Sequence, residues 1–270
     1  LENGIVDDIL VYMLAEELYL LVVNASNLDK DYKWLSDNNS FDCLIENKSS
    51  EYSLLAVQGP DSIKLLSKLT NENLEEIKYY NFIKGNLSEI DDVIISRTGY
   101  TGELGFELYV KNNDAIKLWN SLFSTSVTIK PIGLAARDTL RLEKGFCLYG
   151  NDINDKTSPL EANLGWITKL NTNFINSDNL QKQKVEGLNK LLVGFEVLDK
   201  GVARNGYNIL DLNNNHIGNV TSGTMSPTLN KAIGMAYINI AFLNSGKRDF
   251  LVQVRNKKIL ARLISLPFVK

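Results

Sequence analysis

Acids dominate the chemistry that this chain of 270 residues can offer. Its single histidine, His216, removes His-rich metal sites and leaves any Ser-His-Asp arrangement dependent on one residue. His216 lies in a strand-like piece, His-Ile-Gly-Asn-Val, and reads as structural. Acid–base work therefore falls to carboxylates, tyrosines and lysines. The first candidate is Asp8, at the head of a greasy hairpin. Two strands, Asp8 to Leu14 and Leu18 to Asn24, flank Ala15-Glu16-Glu17. If Leu14 pairs with Leu18, Asp8 falls opposite Asn24 with Cβ atoms about 5 Å apart. A carboxylate then faces an amide, and Asp7 points to the other face because strand side chains alternate. The bland alternative makes Asp7-Asp8 a solvated strand start and Asn24 a helix cap for Ser26 to Asp37. A slip of one residue would break the pair.

A second candidate is Glu107, in the stretch Arg97-Thr-Gly-Tyr-Thr-Gly-Glu-Leu-Gly-Phe-Glu-Leu-Tyr-Val110. Glycines at 99, 102 and 105 suggest tight turns or a backbone lying close to something bound. After Gly105 the β-branched and aromatic run reads as a strand. Glu107 is either an exposed acid on an edge strand or a carboxylate aimed into a pocket with Tyr100 above it. A third candidate is the helix Gly133 to Lys144, which brings Arg137, Arg141 and Lys144 within about 60° of one another. Its remaining circumference is apolar, so the helix is expected to be largely buried. Its cationic strip then needs an anionic ligand, or pairs with Asp138 or Glu143. Trp166, between Gly165 and Ile167, is expected to be packed with its ring edge toward a ligand. Tyr79-Tyr80-Asn81-Phe82 reads as core before pocket.

The elements that must position these groups follow from pattern. Strands are expected at Phe41 to Glu46, Tyr52 to Val57 and Val93 to Arg97. Helices are expected at Asp61 to Leu69, after Gln58-Gly59-Pro60, and at Ala115 to Phe123. Beyond Gln181 a polar connector leads to short strands at Leu191–Val197, 207–210, 216–220, 232–238, 250–254 and 258–263. Their short, regular spacing is that of a small barrel or sandwich. The organisation is thus α+β, with one domain over 1–185, a β-barrel over 186–270, and a boundary near residue 186. A net charge of −3 and a pI near 5.4 argue against a nucleic-acid binder. The longest apolar run, Leu18 to Val23, is too short to span a bilayer, and no signal segment opens the chain. Cys43 and Cys147 have no metal-like spacing and fit a reducing compartment. Leu1 stands where a methionine would, and Asn3-Gly4 is a hairpin turn signal without a preceding strand. The chain therefore reads as N-terminally incomplete.

Several of these pieces resemble one family, the T-protein (aminomethyltransferase) of the glycine cleavage system. They are Asp7-Asp8-Ile9-Leu10-Val11, Gln58-Gly59-Pro60, Gly99-Tyr100-Thr101-Gly102-Glu103 and Gly133-Leu134-Ala135-Ala136-Arg137-Asp138. To these are added Leu148-Tyr149-Gly150-Asn151-Asp152, Gly201-Val202-Ala203-Arg204 and Val220-Thr221-Ser222-Gly223-Thr224-Met225-Ser226-Pro227. The resemblance runs from end to end in the same order. It implies transfer of an aminomethyl group from a lipoyl-carrying H-protein to tetrahydrofolate, giving 5,10-methylenetetrahydrofolate and ammonia. It implies a folate-binding body of mixed α and β character followed by a small barrel, no metal, and a cytoplasmic or mitochondrial-matrix setting. By the same resemblance Asp8 is catalytic and Asn24 faces it. Tyr100, Glu107 and Arg137 match folate-pocket positions, while Trp166 is a weaker match and Tyr80 weaker again. One rival is a non-catalytic folate binder acting in iron–sulfur maintenance. Its Lys-Gly-Cys-Tyr-x-Gly-Gln-Glu signature is replaced here by Lys144-Gly145-Phe146-Cys147-Leu148-Tyr149-Gly150-Asn151. A folate-dependent demethylase and a generic α+β binding module are the others.

Overall fold

The structure is a computed structural model that describes residues 4–270. The reading of an incomplete start rests on Leu1 to Asn3, which lie outside the described residues. The chain divides into two compact units. One comprises Leu1–Val11, Leu21–Asp31 and Asp138–Lys270, the other Tyr12–Leu20 and Tyr32–Arg137.

The first elements form a two-stranded ribbon, β1 (Leu10–Ala15) and β2 (Leu18–Val22). Its turn takes only Glu16 and Glu17, with Glu17 at φ 63°. Ala15 and Leu18 therefore flank the turn. Asp7, Asp8 and Asn24 all lie outside the strands, so strand alternation does not govern where they point. A short 3-10 turn, Ala25–Asn27, leads into α1 (Leu28–Asp37).

The strand expected at Phe41 to Glu46 does not form. Asp42 sits at φ 55°, which breaks an extended run, and Phe41 and Leu44 are 86% and 85% exposed. A strand needs a ladder partner or a face to bury, and this segment has neither.

The unit that contains Tyr32–Arg137 is built on an antiparallel sheet. It comprises β3 (Tyr52–Gln58), β4 (Phe82–Leu87), β5 (Ile90–Ser96) and β6 (Gly105–Lys111), in the order β3-β6-β5-β4. Two helices cover one face, α2 (Ser62–Leu66) and α3 (Ala115–Ser124). Phe106, Leu108 and Val110 of β6 pack there with Val57, Ile95, Leu66, Leu118 and Leu122. Full burial of each such side chain contributes about 1.5–3 kcal/mol. Alternation places Glu107 and Tyr109 on the opposite face of the same interior strand.

In the other unit, α4 (Leu134–Glu143, whose first turn belongs to the sheet unit) and α5 (Ser177–Glu186) precede six strands. These are β7 (Lys190–Val197), β8 (Asn208–Leu210), β9 (His216–Ser226), β10 (Lys231–Asn239), β11 (Asp249–Val254) and β12 (Lys257–Ile264), with α6 (Ile240–Asn244) between β10 and β11. They close into a barrel in the order β10-β7-β12-β11-β8-β9. Its interior holds Phe195 and Phe250 edge to face at 5.6 Å, together with Ile209, Val220, Ala236 and Val252. The α+β class and the C-terminal barrel are those expected from the sequence. One difference is β9, which continues past Val220 through the polar run Thr221 to Ser226.

Candidate active site

Asn24 is the organising residue at the base of the ribbon. It precedes a 3-10 turn but its side chain caps nothing. Instead, Nδ2 donates to Asp7 Oδ1 at 2.7 Å and to Asp8 Oδ1 at 2.8 Å. Its backbone N–H donates to Asp7 Oδ2 at 3.0 Å, and Asn27 Nδ2 donates to Asp7 Oδ1 at 2.7 Å. The expected meeting of Asp8 and Asn24 is present. The expectation that Asp7 turns away is wrong, because residues 4 to 9 form an irregular segment that lets both acids reach one amide.

The two acids differ electrostatically. Asp7 collects three N–H donors and lies close to the carboxyl of Asp31; hydrogen bonding outweighs its burial and holds it below the usual carboxylate range. Asp8 is open to solvent on its outer side yet ringed by protein atoms. That partial desolvation, with the charge of Asp7 beside it, pushes its carboxyl up to about 6 against the hydrogen bond from Asn24. Asp8 is thus an accessible carboxylate more basic than a free aspartate, held at one oxygen.

In the sheet unit, Glu107 is 8% exposed on an interior strand, so the exposed-edge reading fails. Thr98 Oγ1 donates to Glu107 Oε2 at 2.5 Å. The Tyr12 hydroxyl stands 2.9 Å from Ser96 Oγ and 3.3 Å from both Thr98 Oγ1 and the Tyr109 hydroxyl. Burial, with Tyr80 and Glu107 nearby, pushes the Tyr79 hydroxyl up to about 12. Tyr79 and Tyr80 are more than half exposed, not core. Tyr80 sits at φ 64° in a turn that directs this pair outward.

Gln58 explains much of the glycine spacing. Its Nε2 donates to the carbonyls of Thr98 and Phe106, and its Oε1 accepts from Thr101 Oγ1 at 3.1 Å. A Cβ at Gly99 or Gly105 would lie 1.9 or 2.5 Å from this side chain. The glycines make room for a glutamine of the chain itself. Beside it opens a cleft of about 610 Å³, lined by Gln58, Pro60, Asp61, Tyr100, Lys130 and Arg137 among others. Its size suits a small-molecule site. The Arg137 guanidinium stacks 4.7 Å from the Tyr100 ring centroid. Glu107 does not line this cleft.

Helix α4 departs from expectation. Its first turn is exposed, with Leu134 82% accessible, whereas Arg141, Leu142 and Glu143 are buried. The cationic strip therefore splits. Arg137 stays accessible, while Arg141 turns inward to Asp152 and Asp138, both at 2.7 Å, and to Ser222 at 2.8 Å. Glu143 accepts from the hydroxyls of Ser226 and Thr228. Trp166 is 71% exposed, so the expected packing is absent. Residues 160 to 172 form successive turns, which offer no sheet or helix face for the indole to cover. Sequence reasoning does not reach Asp31 or Asn27, and it reaches Gln58 only as part of the Gln58-Gly59-Pro60 motif, without its role. The spacing of two amides, Asn24 and Asn27, behind a pair of acids is a signal that could have found Asn27.

Comparison with known proteins places this arrangement. Residues 2–172 match the family model described as GCVT N-terminal domain. Residues 190–270 match the Glycine cleavage T-protein C-terminal barrel domain. An aminomethyltransferase of Flavobacterium psychrophilum is 51% identical over 271 residues, covering 100% of this chain and 75% of that relative. One of Halothermothrix orenii is 49% identical, covering 99% and 75%. The crystal structure of glycine cleavage system aminomethyltransferase T from Bartonella henselae superposes with a TM-score of 0.89 at 33% identity, over 99% of this chain and 73% of that one. Fold and matches together define an enzyme of the aminomethyltransferase class. The chain belongs to the glycine cleavage T-protein family.

Proposed function

We propose that the protein moves an aminomethyl group from the lipoyl arm of an H-protein to tetrahydrofolate, acting in the cytoplasm. The carbon exchanges its bonds to the amino nitrogen and the lipoyl sulfur for bonds to two folate nitrogens. Ammonia and the reduced lipoyl thiol leave, and no redox partner is required. Asp8 acts on the nucleophilic folate amine: its carboxylate orients that nitrogen, accepts its proton as the new bond forms, and stabilises the positive charge that develops. Asn24 holds Asp8 in place. Glu107, Tyr100 and Arg137 bind folate. Arg137 offers a planar fork to a carboxylate-bearing tail, and Tyr100 a flat face to a heterocycle. Trp166, exposed as it is, can take part only by folding over a bound ligand. In domain terms, residues 1–185 carry folate and 186–270 form the barrel domain.

The observation that carries this reading is Asp8 itself, an accessible acid anchored on one amide and pushed up to about 6. At neutral pH it is ionised, and it is a better base than an ordinary aspartate. The test is Asp8→Asn in the intact protein, assayed for ammonia and methylenetetrahydrofolate from aminomethylated H-protein. Turnover is expected to fall about 10²- to 10⁴-fold, the usual worth of a placed acid–base group. The unfolding midpoint should change little. Normal turnover in the variant sinks the role of Asp8. Demethylation of a sulfonium or methylamine substrate by the unmodified protein sinks the reaction itself.

A further inference from the structure

Asp31 is an aspartate without a donor. It lies in the first turn of α1, 4% exposed, and neither of its carboxyl oxygens accepts a hydrogen bond among the described residues. Lys30 Nζ is 3.6 Å from Oδ1, an ion-pair distance beyond hydrogen-bond range. Two of the three N–H donors of that ammonium go to the carbonyl of Val6 and, at 2.8 Å, to the Tyr149 hydroxyl, which leaves one for the longer ion pair with Asp31. Besides the Lys30 ammonium, the group that acts on the Asp31 carboxyl through side-chain hydrogen bonding is the carboxyl of Asp7. Two neighbouring carboxylates, partly shielded from water, resist ionising together, so below about pH 7 the pair holds one proton. Its position follows from the donors. Asp7 receives three N–H groups, which favour its charge; Asp31 receives none, which favours its acid form.

We infer that Asp31 is a positioning residue: a buried carboxylic acid that donates its hydroxyl to Asp7 and so fixes the Asp7–Asn24–Asp8 chain. The inference rests on Asp8 being the reactive group. The donor chain runs from Asp31 O–H to Asp7, while Asn24 reaches back to Asp7 with two N–H groups and forward to Asp8 with one. Asp31 thereby settles how the amide that steadies Asp8 is turned. The charged and titratable groups around the pair are Lys30, Asp8 and Tyr149, with Cys147 facing Asp8. Burial first, then Asp7, pushes the Asp31 carboxyl up to about 7, against the pull of Lys30. The helix N-terminus favours charge at this position too, but does not supply the missing hydrogen bond.

Two variants of the intact protein test this. Asp31→Asn keeps a donor toward Asp7 that never titrates; Asp31→Ala removes it. Near pH 7, where Asp8 has largely lost its proton, the unmodified protein is expected to retain an infrared carbonyl band of a protonated carboxylic acid that is much weaker in Asp31→Asn. As pH rises through about 7, its unfolding midpoint should fall relative to that variant. Asp31→Asn should keep kcat near neutral pH and hold it to higher pH. Asp31→Ala should lose kcat about tenfold or more with KM little changed, the scale of a displaced reacting group. Identical infrared and stability profiles for the unmodified protein and Asp31→Asn overturn the inference, as does full kcat in Asp31→Ala. The infrared and unfolding readouts need no turnover, so they stand apart from any failure of the proposed reaction.

Discussion

Two acid clusters in the same unit make opposite uses of burial. Asp152 is fully buried and saturated: it accepts from Arg141, the backbone of Leu148, Thr221 and Ser222, while its carbonyl accepts from Tyr237. A guanidinium neutralises it and both carboxylate oxygens have donors. The Asp7–Asp8–Asp31 cluster holds three acids on two asparagine side chains, one backbone N–H and an ammonium at a distance. Asp8 is left with an open oxygen and Asp31 with none satisfied. Depth does not separate scaffold from reactive group here, since Asp152 is deeper than Asp8. The supply of donors does. A saturated acid cannot change protonation without breaking a network, whereas an undersupplied one stands ready to exchange a proton.

Arg141→Ala should break the first cluster outright. Removing one partner of a buried, hydrogen-bonded pair costs about 3–5 kcal/mol, because the other charge stays buried. Urea unfolding would show a lower midpoint, with turnover per folded molecule little altered. If stability survives, the saturated cluster is not a scaffold and the contrast fails. The pH dependence sharpens it next. With Asp8 pushed up to about 6, the rate should fall as pH drops through that value, a profile Asp8→Asn must lack. Stability runs the other way. Asp8 and Asp31 bind protons more tightly when folded, so their contribution is complete below about 3.8 and fades as pH rises through about 6 and 7. Asp7, held low, contributes above about 3.8 and loses that as pH falls through its folded value. The smallest effect is expected at Gln58→Ala, which leaves the carbonyls of Thr98 and Phe106 without its donors. It should cost about 1–3 kcal/mol in thermal unfolding.

Periodicity and turn chemistry made the frame legible in the sequence. The strands around Glu107, the helix over Arg137 and five of the six barrel strands stand within a few residues of expectation, because each is marked by apolar alternation and bounded by turn residues; β9 alone overruns, by six residues. What local pattern could not supply was partnership. Phe41 to Glu46 has strand composition but no ladder to join. Trp166 looks like core but meets no face. Arg141 and Arg137 share a helix stripe, yet only Arg141 finds a buried acid, 11 residues along in sequence. The glycines at 99 and 105 read as room for a ligand, and the occupant proved to be Gln58, 41 and 47 residues away. At the acid pair, the sequence named the right two residues for a partly wrong reason. An irregular segment, where strand alternation does not apply, carried Asp7 and Asp8 to the same amide.

The barrel's strand order has a consequence for how the protein is made. β7 leaves the ribosome first of the six but hydrogen-bonds to β10 and β12, which are synthesised well after it. β12 also carries β11, so the ring cannot shut until that last strand has emerged. Until then the nascent chain displays open strand edges that invite pairing with a neighbour. Shortening the protein within 257–264 should therefore convert a self-contained ring into a sticky sheet.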